Sequence, residues 1–485
     1  MGDFEKSVAV ALGALARHRR ENPAIAAAPL DEVTRRLELR HWIDAGGAMD
    51  DEGLGRFLDR YLANSTRLEH RDYLSHQIAP PDVPSTIADL VHGRTNNLTT
   101  VYELGPAAAA VEVVVVEWML EKVGFAGGAG ILTHGGSLGN LTGLLAARAR
   151  AAPDSWVHGT PPGLAVLAAS SAHYSVRRAM AILGLGEAAI VPVESDAFGR
   201  MVPADLGPAI ERATAAGRRP IAAVASACAT AAGLHDDLRA VGEICRERGL
   251  WLHVDAAHGA SALLSARHRH LLDGIDLADS VIWDAHKMMG TSAMCTGVLF
   301  RRATDLARTF HQQATYLMYG DELGPDISTQ TFEATKAPIG LKLFLNLAWR
   351  GEGGLGSYVA RQYDKTRRIH GAIEARPGFE CPYVPETNIL CFRHRPSGDA
   401  THLEVRRRLA EESGLHISSA ELGGRRHFRL TVMSEDTDEA DISRLLDEIE
   451  RLAAWVQASA ASARPSTFVT SRLSMSTSGT RKSSP

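Results

Sequence analysis

Between about Gly130 and Phe300 the chain returns again and again to short apolar runs, set between glycine-rich turns and helical stretches. This alternation restricts the fold more than any other feature. The runs 164–169, 221–226, 251–255, 280–283 and 297–300 read as buried strands. Strands that alternate with helices argue for a mostly parallel sheet with helices packed on both faces.

The flanks have a different texture. Residues 1 to about 65 read as helices, with Val8, Leu12 and Leu15 at helical spacing and breaks near Pro23 and Pro29. Pro80, Pro81 and Pro84 form a bend, and a helix is expected over about 107–123. A helical connector is expected around 339–349, followed by a smaller α+β region with strands at 388–392 and 427–433. Beyond Ala463 the chain is rich in Ser and Thr and poor in apolar residues, the composition of a disordered tail. A chain of 485 residues is too long for one small core. The expected division is a helical arm over 1–90, a large α/β domain over 91–350, a small α+β domain over 351–462 and the tail over 463–485.

Composition narrows the class of function. Apolar residues make up 45% and charged residues 22%, ordinary values for a soluble globular protein. A formal net charge of −5 offers no basic footprint for nucleic acid. The most apolar stretch, 111–120, holds Glu112 and Glu117 and is too short to span a bilayer. No apolar run near the N-terminus is long enough for a signal peptide. The five cysteines are scattered without a CxxC pair, which speaks against a disulfide framework or zinc site and for a reducing compartment. A cytoplasmic protein with neither membrane nor nucleic-acid partner is expected.

Three segments carry chemistry. In Ser280-Val-Ile-Trp-Asp-Ala-His-Lys, Lys287 ends an apolar run beside His286 and Asp284. A lysine buried there loses proton affinity and can condense with an aldehyde, whereas an exposed strand-end lysine would do nothing. In Trp251-Leu-His-Val-Asp, Asp255 sits where a strand ends. Such an acid can pair with a protonated pyridine nitrogen, or merely cap a helix. In Thr133-His-Gly-Gly-Ser-Leu-Gly-Asn, a turn containing Gly136 and Ser137 opens an apolar helix. Its free N–H groups and helix dipole suit a phosphate, although the motif is neither a Walker nor a dinucleotide fingerprint.

In this order, with Lys287 placed 32 positions after Asp255, the three segments resemble the fold-type I pyridoxal-phosphate enzymes. The likeness is to the group II amino-acid decarboxylases, which include glutamate, aromatic-amino-acid, diaminobutyrate and cysteine-sulfinate decarboxylases, and it runs from about 72 to about 452. It implies an aspartate aminotransferase-like α/β fold with a mainly parallel seven-stranded sheet, a small C-terminal α+β domain and an N-terminal helical arm. It also implies a pyridoxal 5'-phosphate cofactor on Lys287 and a homodimer with active sites at the subunit interface. The reaction implied is decarboxylation of an L-amino acid to a primary amine. Oxidative deamination or aldol-type chemistry on the same scaffold is the alternative, and a non-catalytic cofactor-binding protein a more distant one.

The resemblance extends to further residues. Ser171-Ala-His-Tyr looks like the segment whose histidine stacks on the pyridine ring, here His173. Thr230 is placed near the cofactor with Asp236 supporting its turn, and Ala257, Asp284 and His286 count among the cofactor contacts. Ala314-Thr-Tyr-Leu resembles a mobile loop whose tyrosine, here Tyr316, protonates the carbon that loses CO2. Phe428-Arg-Leu makes Arg429 the partner of the substrate carboxylate. His76 and Gln77 would contact the substrate side chain, and Tyr102 would enter from a partner subunit. Departures from the family pattern at Cys228, Ala285, Met288 and Lys336 remove no required group, but they leave the amino acid unassigned.

Overall fold

The computed structural model describes residues 3–21, 23–25, 28–47, 49–310 and 324–462. Tyr316 and the segment 463–485 lie outside the described residues.

Among the described residues, twelve strands form two sheets. They are β1 (Tyr73–Leu74), β2 (Ala129–Thr133), β3 (Leu164–Ala169), β4 (Ile190–Val193), β5 (Arg219–Ser226), β6 (Trp251–Asp255), β7 (Ser280–Asp284), β8 (Thr296–Phe300), β9 (Phe379–Glu380), β10 (Ile389–His394), β11 (His416–Leu422) and β12 (Arg425–Thr431). The large sheet has the order β2-β8-β7-β6-β5-β3-β4. The neighbours from β7 through β4 are parallel, and β8 alone runs against its two neighbours. This is the mostly parallel α/β sheet that the sequence suggests.

Adjacent side chains on these strands enter different cores, which explains their unbroken apolar character. Leu167, Val254, Trp283 and Leu299 pack with the helix Pro106–Val123 on one face. Val166, Trp251, Ile282 and Val298 pack on the other with the helix Gly136–Ala151. A strand covered on both faces has no reason to alternate with polar residues. The helix Gly136–Ala151 approaches the sheet closely: a Cβ on Gly143 would stand 2.4 Å from His253 Cε1.

All five expected strands of the large sheet are present, within two residues at their ends. The strands β2 and β4 are not expected from the sequence. β2 begins on Ala and Gly, and β4 holds Pro192 at the sheet edge, where a missing N–H is tolerated.

The small sheet has the order β1-β11-β12-β10-β9. It is covered by the helices Asp399–Glu412 and Glu439–Ser462, and its core includes Phe379, Phe392, Phe428, Leu430 and Ile449. The segment 1–90 therefore does more than form a helical arm. Tyr73 and Leu74 pair in parallel with His416 and Ile417 and enter this sheet. The expected connector is the first part of a longer helical stretch, Gly340–Glu374, broken at Gly351 (φ 68°) where a left-handed backbone favours glycine. Among the described residues no helix is long and apolar enough to cross a membrane.

Candidate active site

Parallel strands deliver their C-terminal ends to one side of a sheet, and ligands gather there. The ends of β5, β6 and β7 open onto a cavity of about 310 Å³ whose wall includes Gly136, Ser137, His173, Thr230, Asp255, Ala257, Asp284, His286 and Lys287. The predicted cofactor residues thus share one pocket, although they come from distant parts of the chain. Gln77 joins them from the N-terminal side.

Lys287 follows β7 in the short turn Ala285–Met288, and its Nζ lies 3.2 Å from Asp284 Oδ2. Asp284 is buried and accepts a hydrogen bond from Thr296 Oγ1 at 2.6 Å. His286 sets its Nδ1 3.0 Å from the Cys295 carbonyl. The helix Gly136–Ala151 begins beside this pair. A Cβ on Gly136 would come within 3.0 Å of Asp284 Oδ2, so a larger residue would fill the space at the mouth of the first turn. Gly135 before it adopts φ 100°, and a Cβ there would meet Met294 Sδ at 2.8 Å. The pocket therefore ends in a narrow cup of backbone N–H groups at a helix start, the geometry that takes a phosphate.

Asp255 lies opposite. Its Oδ2 accepts a hydrogen bond from Asn140 Nδ2 at 2.8 Å and its Oδ1 one from the Ala257 N–H at 3.3 Å. His173 caps the helix Tyr174–Ile182; its Nδ1 is 2.7 Å from Ser175 Oγ and 3.3 Å from the Ser175 N–H. Burial pulls the His173 ring below the ordinary histidine range, with Lys287 adding to the effect and Asp255 opposing it. Asp236 braces the wall from behind, accepting from the N–H groups of Ser226 and Met201 at 2.7 Å each. Burial pushes its carboxyl up to about 6. An amine beside a carboxylate, a second carboxylate held by an amide and an N–H cup match an aldehyde, a pyridine nitrogen and a phosphate. These residues fit pyridoxal phosphate.

The wall residue Cys228 is buried, and desolvation pushes its thiol up to about 12, which leaves it without nucleophilic character. His258 Nε2 is 2.7 Å from Asn388 Oδ1, and its buried Nδ1 has no hydrogen-bond partner among the described residues.

Three expected substrate residues stand away from the cavity wall. Arg429 is buried behind Gln77 and Thr230. Its Nη2 donates to Gln77 Oε1 at 3.1 Å and to the Thr230 carbonyl at 2.8 Å, its Nη1 to the Ser75 carbonyl at 3.0 Å and its Nε to the Ala231 carbonyl at 3.1 Å. Its donors are engaged by the protein, so it braces the wall where sequence reasoning has it facing a carboxylate. His76 turns to Tyr73, whose hydroxyl is 2.6 Å from its Nδ1, and packs near His416. Tyr102 begins a one-turn helix held by Asp326, whose Oδ1 accepts its N–H at 2.9 Å.

Sequence reasoning passes over Asn140 and His258, which line the pocket, and Ser175 and His253, which hydrogen-bond to Asn140 behind it. A signal existed for two of them: Asn140 is a polar residue in the glycine-rich helix, and His253 interrupts an apolar strand.

The family model "Pyridoxal-dependent decarboxylase conserved domain" matches residues 59–395. The acidic amino acid decarboxylase GADL1 of Mus musculus is 32% identical over 437 residues, covering 86% of this chain and 78% of that protein. The cysteine sulfinic acid decarboxylase of Homo sapiens is 31% identical over 439 residues, covering 86% and 89%. A crystal structure of mouse CSAD superposes with a TM-score of 0.87 at 28% identity, covering 93% of this chain and 99% of that one. With the pocket assembled and the match spanning most of the chain, the protein belongs to the pyridoxal-dependent decarboxylases, and it uses pyridoxal phosphate to remove CO2 from an amino acid.

Proposed function

We propose that Lys287 carries the cofactor and that the substrate is an L-amino acid with an acidic side chain, released as the corresponding primary amine. The observation that carries the reading is the sharing of one 310 Å³ pocket by Lys287, Asp255, His173 and the Gly136–Ser137 cup. When bound, pyridoxal phosphate supplies the electron sink for the bond that breaks. The N–H groups of Gly136 and Ser137 hold the phosphate, and Asp255 keeps a proton on the ring nitrogen. Asp284, with Thr296 fixing its other oxygen, steadies the Lys287 amine whenever it is free. His173 adds an aromatic face and a polar nitrogen to the same wall, while Thr230, Ala257 and His286 complete it. Tyr316 returns a proton to the α-carbon.

The names of these two relatives point to acidic substrates, and Gln77 supports that class. Because Arg429 donates to its Oε1, the Gln77 amide is oriented with its N–H groups left for an acceptor on the substrate. Arg429 is then the residue that aims Gln77, and His76 shapes the same segment. We further propose a cytoplasmic homodimer in which Tyr102 reaches the partner's site, with the arm, the large domain and the small domain dividing near 90 and 350.

The reading is tested by CO2 release from glutamate, aspartate, cysteine sulfinate, diaminobutyrate and aromatic amino acids. Borohydride reduction with peptide mapping runs in parallel. Acidic substrates should react fastest and the adduct should sit on Lys287. Faster release from aromatic or basic substrates would overturn the side-chain assignment, and an adduct on another lysine would overturn the site.

A further inference from the structure

A continuous path of hydrogen bonds leads from beneath the pocket to the two groups proposed to face the cofactor ring. The Trp251 indole N–H donates to Ser280 Oγ at 2.9 Å, and Ser280 Oγ lies 2.7 Å from His253 Nδ1. His253 Nε2 lies 2.8 Å from Asn140 Oδ1. Asn140 Nδ2 reaches both Asp255 Oδ2 and Ser175 Oγ at 2.8 Å, and Ser175 Oγ is 2.7 Å from His173 Nδ1. Trp251, His253, Ser280, Asn140 and Ser175 are all buried, so water does not compete for these contacts.

The ends of the path fix its direction. An indole N–H can only donate, and an ionised carboxylate can only accept. Asn140 must therefore turn its NH2 group towards Asp255, which leaves Oδ1 as the acceptor facing His253. His253 must carry its proton on Nε2, and its bare Nδ1 accepts a hydrogen bond from the Ser280 hydroxyl. The second N–H of Asn140 points at Ser175, so the Ser175 hydroxyl donates onward to His173 Nδ1. The Ser175 backbone N–H is aimed at the same nitrogen from 3.3 Å, which also requires a lone pair there. The reverse assignment would set the Asn140 oxygen against the Asp255 carboxylate.

We infer that Asn140, His253 and Ser280 are positioning residues that hold the His173 proton on Nε2 and keep a fixed donor on Asp255. Burial lowers the His253 pKa to about 4 and also lowers that of His173, so both rings are neutral near pH 7 and a single tautomer is meaningful. The path orients and does not conduct, because the Asn140 amide cannot accept a proton at one end and release it at the other. His173 thus meets the ligand as a hydrogen-bond donor. This inference rests on the proposed roles of His173 and Asp255, but the tautomer itself is a property of the protein alone.

The test uses the full-length protein labelled with ¹⁵N-histidine, with His173 assigned by comparison with His173→Gln. In the wild type, His173 and His253 should each show a bare Nδ1 and a protonated Nε2. Asn140→Leu, close in shape but without donors, should release His173 into a mixture of tautomers. It should also shift the pH midpoint of the bound cofactor's visible absorption and weaken cofactor capture by about 10-fold or more, as expected for losing a hydrogen bond to a charged group. Ser280→Ala, remote from the pocket, should disturb the His173 signals in the same sense, and Ser280→Thr should restore them. A wild-type His173 protonated on Nδ1 would overturn the inference. So would a folded Asn140→Leu or Ser280→Ala protein with unchanged His173 signals and an unchanged absorption midpoint. Failure of the wild type to capture pyridoxal phosphate on Lys287 would instead count against the proposed site, because the tautomer is read without cofactor.

Discussion

We propose that Tyr316 returns the proton to the carbon that loses CO2. Tyr316→Phe should therefore still bind substrate and release CO2, while amine formation falls by about 10²–10⁴-fold, the usual weight of one proton transfer. Amine, aldehyde and CO2 measured together will check this; an unchanged amine rate would assign the proton to another group, His173 first. Asp255→Ala should keep cofactor on Lys287 yet lose turnover by orders of magnitude, since the ring nitrogen would lose its partner. Near-normal turnover would reduce Asp255 to a structural cap. At this scale, sequence reasoning reached the residues whose chemistry is distinctive at a fixed spacing, such as Lys287 and Asp255. It could not reach Ser175 or Ser280, because a hydroxyl acquires meaning only from the partners that folding brings to it. Arg429 shows the converse: its charge advertises a carboxylate, but the wall around it takes up its donors.

Helix and strand meet closely where Gly143 leaves room for His253. Gly143 has ordinary helical geometry, so Ala there would normally stabilise the helix by about 1 kcal/mol. A Cβ would instead press within 2.5 Å of His253 Nδ1. Gly143→Ala should therefore destabilise the protein by about 1–3 kcal/mol, the cost of overpacking a filled core, and denaturant unfolding will give the sign directly. The strands legible in the sequence are those buried along most of their length, β3, β5, β6, β7 and β8 in the large sheet and β10 and β12 in the small one. The strand β11 (His-Ile-Ser-Ser-Ala-Glu-Leu) mixes polar and apolar residues, and β1 has only two, too few for any period to register. β11 pairs with β12 across the short Gly423-Gly424 turn, but β1 takes its place from β11, hundreds of positions later in the chain, which no local window contains.

For the whole molecule, buried neutral histidines tie stability to pH. Desolvation lowers His253 to about 4 and His258 to about 3, against 6.5 for an ordinary histidine. Below pH 6.5 the unfolded chain takes up protons that the folded protein refuses, so this stabilisation is present above 6.5 and is lost as pH falls towards 4 and 3. Each ring contributes a slope of about 1.4 kcal/mol per pH unit in that window. Unfolding free energies at pH 7.5 and 5 should show the decline, and His258→Gln should flatten it; an identical slope in the variant would exonerate His258. The two-residue strand β1 has a consequence for how the molecule can be cut. It stitches an early stretch of chain into the last sheet to be synthesised, and only three residues later the same stretch supplies Gln77 to the pocket. A nascent chain therefore cannot finish its catalytic wall until the ribosome has delivered β11, and a fragment starting after residue 80 would lack both a seam and a pocket residue. Gene fragments split at the Gly351 break should regain activity only when the half carrying β1 is supplied together with its late-made partner.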